Sequence, residues 1–136
     1  MATIDLEAEN QMLRLDYEVQ DRLVWCNVYY INDGKVMRLA EERLEKILSK
    51  LIIGFWEIEG RNFYTRSGLE MYTVTTLMGP HSGLAAHIEE PGSLRLVFID
   101  THGNVFPLMR LTTEDKINWI TQIFEHLRDY MLEHRS

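Results

Sequence analysis

The segment 94–120, LRLVFIDTHGNVFPLMRLTTEDKINWI, decides the fold class because it joins two strands and the start of a helix in one short stretch. Its two apolar runs are rich in β-branched and aromatic residues, and the turn residues THGN at 101–104 separate them, which predicts a β-hairpin. Thr112 and Asp115 then have the spacing of a capping box, which predicts that a helix begins there. We therefore expect an α+β protein with antiparallel strands and a long helix over 113–133.

A stripe of apolar residues recurs in steps of three and four along this last helix. It consists of Ile117, Ile120, Phe124, Leu127 and Met131. Such spacing is typical of the helix face that packs on a sheet. We therefore predict that Ile120 and Phe124, in the middle of the stripe, are core residues.

A second apolar group, Trp119, Ile123 and Tyr130, lies beside this stripe and widens the apolar arc beyond what one sheet covers. Trp and Tyr are enriched at protein interfaces. We therefore predict that these three residues bind a partner protein. The alternative is that the segment 79–93 of the same chain covers them.

Patterns in the first half of the chain predict two strands and a helix. Apolar and polar residues alternate over 12–19, and 23–31 is rich in aromatic and β-branched residues, so these segments form a predicted hairpin. Apolar residues over 35–52 fall on one side of a helical wheel, which predicts the first helix. Strands are expected again over 52–60 and 69–78.

We expect residues 1–10 to be poorly ordered.

The predicted order is strand, strand, helix, several strands, helix, with an antiparallel sheet of about five to seven strands in a single domain over 1–136. Three known folds share parts of this order: the longin/profilin-like fold, the helix-grip fold and the pleckstrin-homology fold. The segment 94–120 resembles the last strand pair and helix of the pleckstrin-homology fold. The resemblance implies no site residues for this chain.

Composition narrows the class of partner and the compartment. The formal net charge of −7 disfavours nucleic acid and anionic membrane surfaces, because both repel a negative field. No apolar run approaches the length of a membrane span, and the acidic start of the chain is unlike a signal peptide. Cys26 is the one cysteine, so an intramolecular disulfide is impossible. We expect a cytoplasmic protein.

The segment 79–93, GPHSGLAAHIEEPGS, contains His81 and His87 and is a candidate site for metal binding or catalysis. The spacing of the two histidines matches no zinc template, so a solvated loop is the favoured interpretation, and we predict no bound metal and no cofactor. Cys26 lies in an aromatic strand and is predicted to be a packed residue rather than a nucleophile. Glu57 and Glu59 would share one face of a strand and could form a catalytic carboxylate pair. A solvent-exposed face explains the two acidic residues more simply.

The sequence thus favours a non-enzymatic, protein-binding domain of the adaptor, assembly-factor or chaperone type, forming a homodimer. Its partner would bind an apolar or aromatic surface of the sheet or of the last helix. One alternative is a small-ligand-binding or hydrolytic domain with a pocket under the 79–93 loop. A third is an RNA-binding domain that uses the basic and aromatic window RNFYTR, with Arg61, Phe63, Tyr64 and Arg66.

Overall fold

The structure is a computed structural model that describes residues 2–60, 71–75, 83–90 and 93–133. The elements fall into two successive groups, each of four strands followed by one helix. In chain order they are β1 Ala2–Ala8, β2 Gln11–Gln20, β3 Leu23–Asn32, β4 Lys35–Arg43, α1 Leu44–Gly60, β5 Met71–Thr75, β6 Gly83–Glu90, β7 Ser93–Ile99, β8 Val105–Thr112 and α2 Thr113–Glu133. The α+β class, the antiparallel pairing and the last helix are confirmed.

The strands form two four-stranded antiparallel sheets instead of the one sheet of five to seven strands that we predicted. Sheet one has the order β1-β2-β3-β4 and sheet two the order β5-β6-β7-β8. Each sheet is a meander in which sequential strands pair, and each is followed by one helix. The chain is therefore built from two successive units of four strands and a helix.

Tight turns explain why sheet one is a meander. Each of its three hairpins turns through two residues that both have positive φ: Glu9 and Asn10, Asp21 and Arg22, Asp33 and Gly34. Two consecutive residues of this kind match the right-handed twist of paired strands. The first hairpin makes β1 a paired strand, so the expectation that residues 1–10 are poorly ordered is wrong.

The predicted helix over 35–52 begins nine residues too early. Lys35–Arg43 is strand β4, and α1 runs from Leu44 to Gly60, where the sequence predicted a return to strand. A β-bulge opposite Val28 and Tyr29 shifts the register of β4. The bulge leaves the successive residues Leu39 and Ala40 both buried, which breaks the alternation expected of a strand and imitates a helical pattern.

The segment 79–93 is largely a strand rather than a loop. Strand β6 pairs with β5 and with β7, and the structure describes its backbone from residue 83 to residue 90. The sequence does not show the alternation of apolar and polar residues that is typical of a strand, because the buried run Gly83–Ala86 has small residues on both faces. The predicted hairpin turn at Ser67 and Gly68 lies outside the described residues.

One hydrophobic core joins the two units. It combines Leu13, Leu15 and Cys26 of sheet one with Leu96 and Leu111 of sheet two and with side chains of both helices. The two sheets also meet through polar contacts of the first turn.

Glu9, in the turn between β1 and β2, makes those polar contacts. Its Oε1 accepts a hydrogen bond from the backbone N–H of Arg110 at 3.3 Å and lies 3.9 Å from the Arg95 guanidinium. The first turn of sheet one is thereby held against β7 and β8, so β1 lies near the edge of sheet two.

The N-terminus of α2 has the predicted capping box. The Thr112 hydroxyl accepts a hydrogen bond from the Asp115 backbone N–H at 3.1 Å, and the Asp115 carboxylate accepts one from the Thr112 N–H at 3.0 Å. These two bonds satisfy N–H groups that a helix start leaves without partners. The helix consequently begins where the sequence predicted.

Candidate functional site

Helix α2 packs against β1, β8 and α1, and its inner face is formed by the residues that we had predicted to bind a partner. Trp119 is 1% exposed and Ile123 is 0% exposed. The Trp119 indole N–H donates a hydrogen bond to the backbone carbonyl of Glu7 in β1, at 2.9 Å. These contacts fix the orientation of the helix about its axis.

Tyr130 secures the other end of the same face. It is half-buried, and its hydroxyl donates a hydrogen bond to Glu45 Oε2 at the start of α1, at 3.3 Å. Burial raises the pKa of Tyr130, and the nearby Glu45 carboxylate raises it further. The phenol therefore stays protonated and remains a donor.

The helix is turned about its axis relative to the prediction. Trp119 and Ile123 are enclosed by their own chain, which leaves them no free surface to offer a partner. The prediction that Phe124 lies in the core is wrong, because 51% of its surface is exposed, whereas Ile120 is partly buried and packs against the core. The cover over the Trp119 side comes from β1 and its neighbours, a source that we did not anticipate.

The outward face of α2 presents four large apolar side chains, which we call the α2 strip. They are Ile117, Phe124, Met131 and Leu132, with 58%, 51%, 63% and 58% of their surfaces exposed. Three of the four are members of the stripe that the sequence analysis assigned to the core. Single exposed apolar residues are normal, but four on one helix, three of which line the same groove, are typical of a binding surface.

The surroundings of the α2 strip are mixed in polarity. Leu127 lies at its inner border, half-buried against the core, and lines a shallow groove with Phe124 and Met131. Arg128 borders the groove on the solvent side and pairs with the adjacent Asp129 at 3.3 Å. The strip is thus not purely apolar, because the Arg128–Asp129 ion pair lies among its side chains, between Phe124 and Leu132.

The outer face of sheet one is the other surface that the sequence analysis considered for a partner. Trp25 and Tyr29 are half-buried there. Arg14 forms an ion pair with Asp5 at 2.8 Å on this face. Both faces carry an ion pair, but the apolar side chains of the α2 strip are the more exposed, so the strip is the better apolar surface for a partner.

A cavity of about 670 Å³ opens between the C-terminal half of α2 and one end of sheet one. Its lining includes Tyr17, Glu18, His126 and Glu133. Burial raises the pKa of Tyr17, and the neighbouring carboxylate of Glu133 adds to the shift. The lining contains no described residue of the 79–93 segment, so this cavity is not the pocket that the small-ligand alternative expects there, and that alternative stays a hypothesis.

The candidate catalytic and metal-binding residues do not come together in a site among the described residues. His81 and the window with Arg61, Phe63, Tyr64 and Arg66 lie outside the described residues. His87 lies on β6, and its backbone is opposite Met71 and Arg95. Within the described ranges, no three His, Cys, Asp or Glu side chains converge as metal ligands would. The absence of bound metal stays a prediction for elemental analysis.

Cys26 and the glutamate pair have ordinary structural positions. Cys26 is fully buried in β3, and burial raises the pKa of its thiol to about 12. The thiolate that a nucleophile requires is therefore not formed near neutral pH. Glu57 and Glu59 lie on α1 rather than on a strand, so the argument that they share a strand face no longer applies.

Among the described residues, neither helix combines the length and apolar character that crossing a membrane requires. Comparison of the chain with protein-family models finds no match, and comparison with curated proteins also finds none.

Proposed function

We propose that the protein is a non-enzymatic protein-binding domain of the cytoplasm, of the adaptor, assembly-factor or chaperone type, and that it works as a homodimer. The observation that carries this proposal is the α2 strip, in which four large apolar side chains face outward. Removing apolar surface from water stabilises a complex by about 25 cal/mol per Å². The strip therefore offers a protein partner a source of binding energy that the folded chain leaves unused.

The chemistry around the strip favours a protein over a membrane or a nucleic acid. Membrane-surface helices carry Lys and Arg on their polar face, whereas the polar side of α2 carries Glu114, Glu125 and Asp129. The net charge of −7 likewise opposes anionic lipid and phosphate backbones. Aromatic and Met side chains, as in the strip, are enriched at protein interfaces.

A non-enzymatic role in a reducing compartment is supported by Cys26. Its buried thiol, with the pKa raised to about 12, is protonated and cannot act as a nucleophile in the folded chain. A single buried thiol also needs no oxidising compartment. Cys26 is therefore a structural residue, as a non-enzymatic role requires of it.

The proposal is tested by a charged substitution in the strip and a matched control on the same helix. Phe124→Glu places a carboxylate in the centre of the strip, whereas Gln122→Glu adds a carboxylate at an exposed position outside it. Tagged wild-type, Phe124→Glu and Gln122→Glu chains are used to capture proteins from their native extract together with an untagged copy of the chain. We expect wild type and Gln122→Glu to retain a partner that Phe124→Glu loses. Identical capture by all three chains would refute binding through the strip.

A further inference from the structure

We infer that the occupant of the α2 strip is a second copy of the chain, docked with the two α2 helices antiparallel and with the two-fold axis passing beside Phe124. This inference rests on the proposed function and specifies its partner and geometry. Three properties of the strip carry it: its symmetry, its area and its polarity.

The symmetry of the strip comes from equal spacing. Ile117, Phe124 and Met131 are seven residues apart, so on a helix they lie in one row at intervals of about 10.5 Å. Reversing the row about Phe124 superposes it on itself. An antiparallel pair centred there sets Ile117 against Met131 of the second copy and Phe124 against its own equivalent, so all three side chains are covered. Self-complementarity of this kind is what a two-fold interface requires.

The area of the row suits a small interface of two copies. Residues of this size expose about 200 Å² each when fully free. The three residues of the row, at slightly more than half exposure, present about 350 Å² per copy. A symmetric pair would bury about 700 Å² from these residues alone, so bordering residues must contribute for the interface to reach the about 1,000 Å² of a specific one. The half-buried Ile120 and Leu127 border the strip and would add to this area.

The polarity of the helix favours the antiparallel direction. The helix has 21 residues, and two parallel helix dipoles side by side repel, whereas antiparallel dipoles attract. Arg128 lies four residues after Phe124 and Thr121 three residues before it, so the antiparallel pair sets each Arg128 beside the neutral Thr121 of the other copy. The inner face of α2, with Trp119 and Ile123, points away from this contact because it is already packed in the core.

Sedimentation of the wild-type chain provides the first test. We expect a monomer–dimer equilibrium that Phe124→Glu weakens more than about 30-fold, as expected for a hot-spot residue, and that Gln122→Glu leaves within about threefold of wild type. Added salt should strengthen the dimer, because it screens the repulsion between two chains of net charge −7. A wild-type chain that stays monomeric at 200 µM overturns the inference.

Disulfide trapping tests the direction. The native thiol does not interfere, since Cys26 is buried and protonated. Under mild oxidation, Phe124→Cys alone should form a covalent dimer, whereas Gln122→Cys should not. A mixture of Ile117→Cys and Met131→Cys chains should form mainly the mixed dimer, because a disulfide needs Cα atoms within about 4.4–6.8 Å. Predominant Ile117→Cys and Met131→Cys homodimers would indicate parallel helices and overturn the inference.

The failure of this inference is distinguishable from the failure of the proposed function. If the wild-type chain is monomeric but captures a different protein through Phe124, the second copy and the homodimer of the proposed function are both excluded, while the protein-binding role is retained. If Phe124→Glu changes neither self-association nor capture, both are refuted. Circular dichroism and thermal melting of each variant verify that the fold is intact, which the exposure of Phe124 leads us to expect.

Discussion

Trp119 connects the last helix to the first strand through one hydrogen bond and a large buried surface. Its indole N–H donates to the carbonyl of Glu7, a residue 112 positions earlier in the chain. A buried acceptor that loses its donor costs about 1–3 kcal/mol. The side chain therefore contributes to stability both by filling the core and by satisfying the backbone of β1.

We expect Trp119→Phe to lower the free energy of unfolding by about 1–3 kcal/mol, because the ring is retained in part and the N–H donor is lost. Trp119→Ala should cost about 3–5 kcal/mol, since it also leaves a cavity. Chemical denaturation measures both. Trp25→Phe, at a half-buried position on the outer face of sheet one, is the control and should cost less than about 1 kcal/mol. An unchanged denaturation midpoint for Trp119→Phe would show that the bond to Glu7 is unimportant.

At the scale of single elements, the turn between β3 and β4 determines where the first helix can begin. Asp33 and Gly34 have φ values of 51° and 77°, and the pair Asp-Gly is a strong signal for a two-residue hairpin. Asn32 and Asp33 can equally cap a helix, which is why the sequence predicts a helix directly after them. The Asp-Gly turn thus indicates that a strand follows, whereas the spacing of apolar residues over 35–52 indicates a helix. The structure follows the turn.

Gly34→Ala should destabilise the fold by about 1–2 kcal/mol through backbone conformation alone. A Cβ at Gly34 meets no atom within 4 Å, so steric contact adds nothing to the cost. Gly34→Asn should cost less, because Asn tolerates the left-handed conformation better than Ala does. Thermal or chemical unfolding of the two variants checks the order. Equal stability of wild type and Gly34→Ala would contradict the positive φ at this turn.

At the scale of the whole molecule, the two units of four strands and a helix depend on each other. Their buried residues form one cluster, and α2 of the second unit packs on β1 of the first. Neither unit encloses its apolar surface alone. The chain should consequently unfold in one cooperative transition rather than as two halves.

This cooperativity is tested with one substitution in each sheet. Leu15→Ala in sheet one and Leu96→Ala in sheet two both remove fully packed side chains, and each should cost about 2–5 kcal/mol. For both variants we expect far-ultraviolet dichroism and tryptophan fluorescence to report the same transition at a chain concentration where the protein is monomeric. Val36→Ala, at an exposed position, is the control and should have little effect. Two separated transitions in either core variant would mean that the units fold independently.

The features that the sequence by itself determined are those set by neighbouring residues. The capping box of Thr112 and Asp115, the hairpin over 94–111 and the extent of the last helix follow from contacts between residues a few positions apart. Such local bonds and turn conformations form in almost any tertiary context, so their patterns can be read directly. The α+β class and the position of α2 were predictable for this reason.

Only the tertiary structure decided which side of α2 faces inward. Both apolar groups of the helix fit a core face, and the spacing alone predicts that the stripe with Phe124 is buried and the group with Trp119 is exposed. Trp119 packs against β1, more than a hundred residues earlier, and the Glu7 carbonyl of that strand accepts the hydrogen bond from the indole N–H. Burial is a property of segments that meet from distant parts of the chain, so periodicity along one helix shows that an apolar face exists but not which part of it remains for a partner.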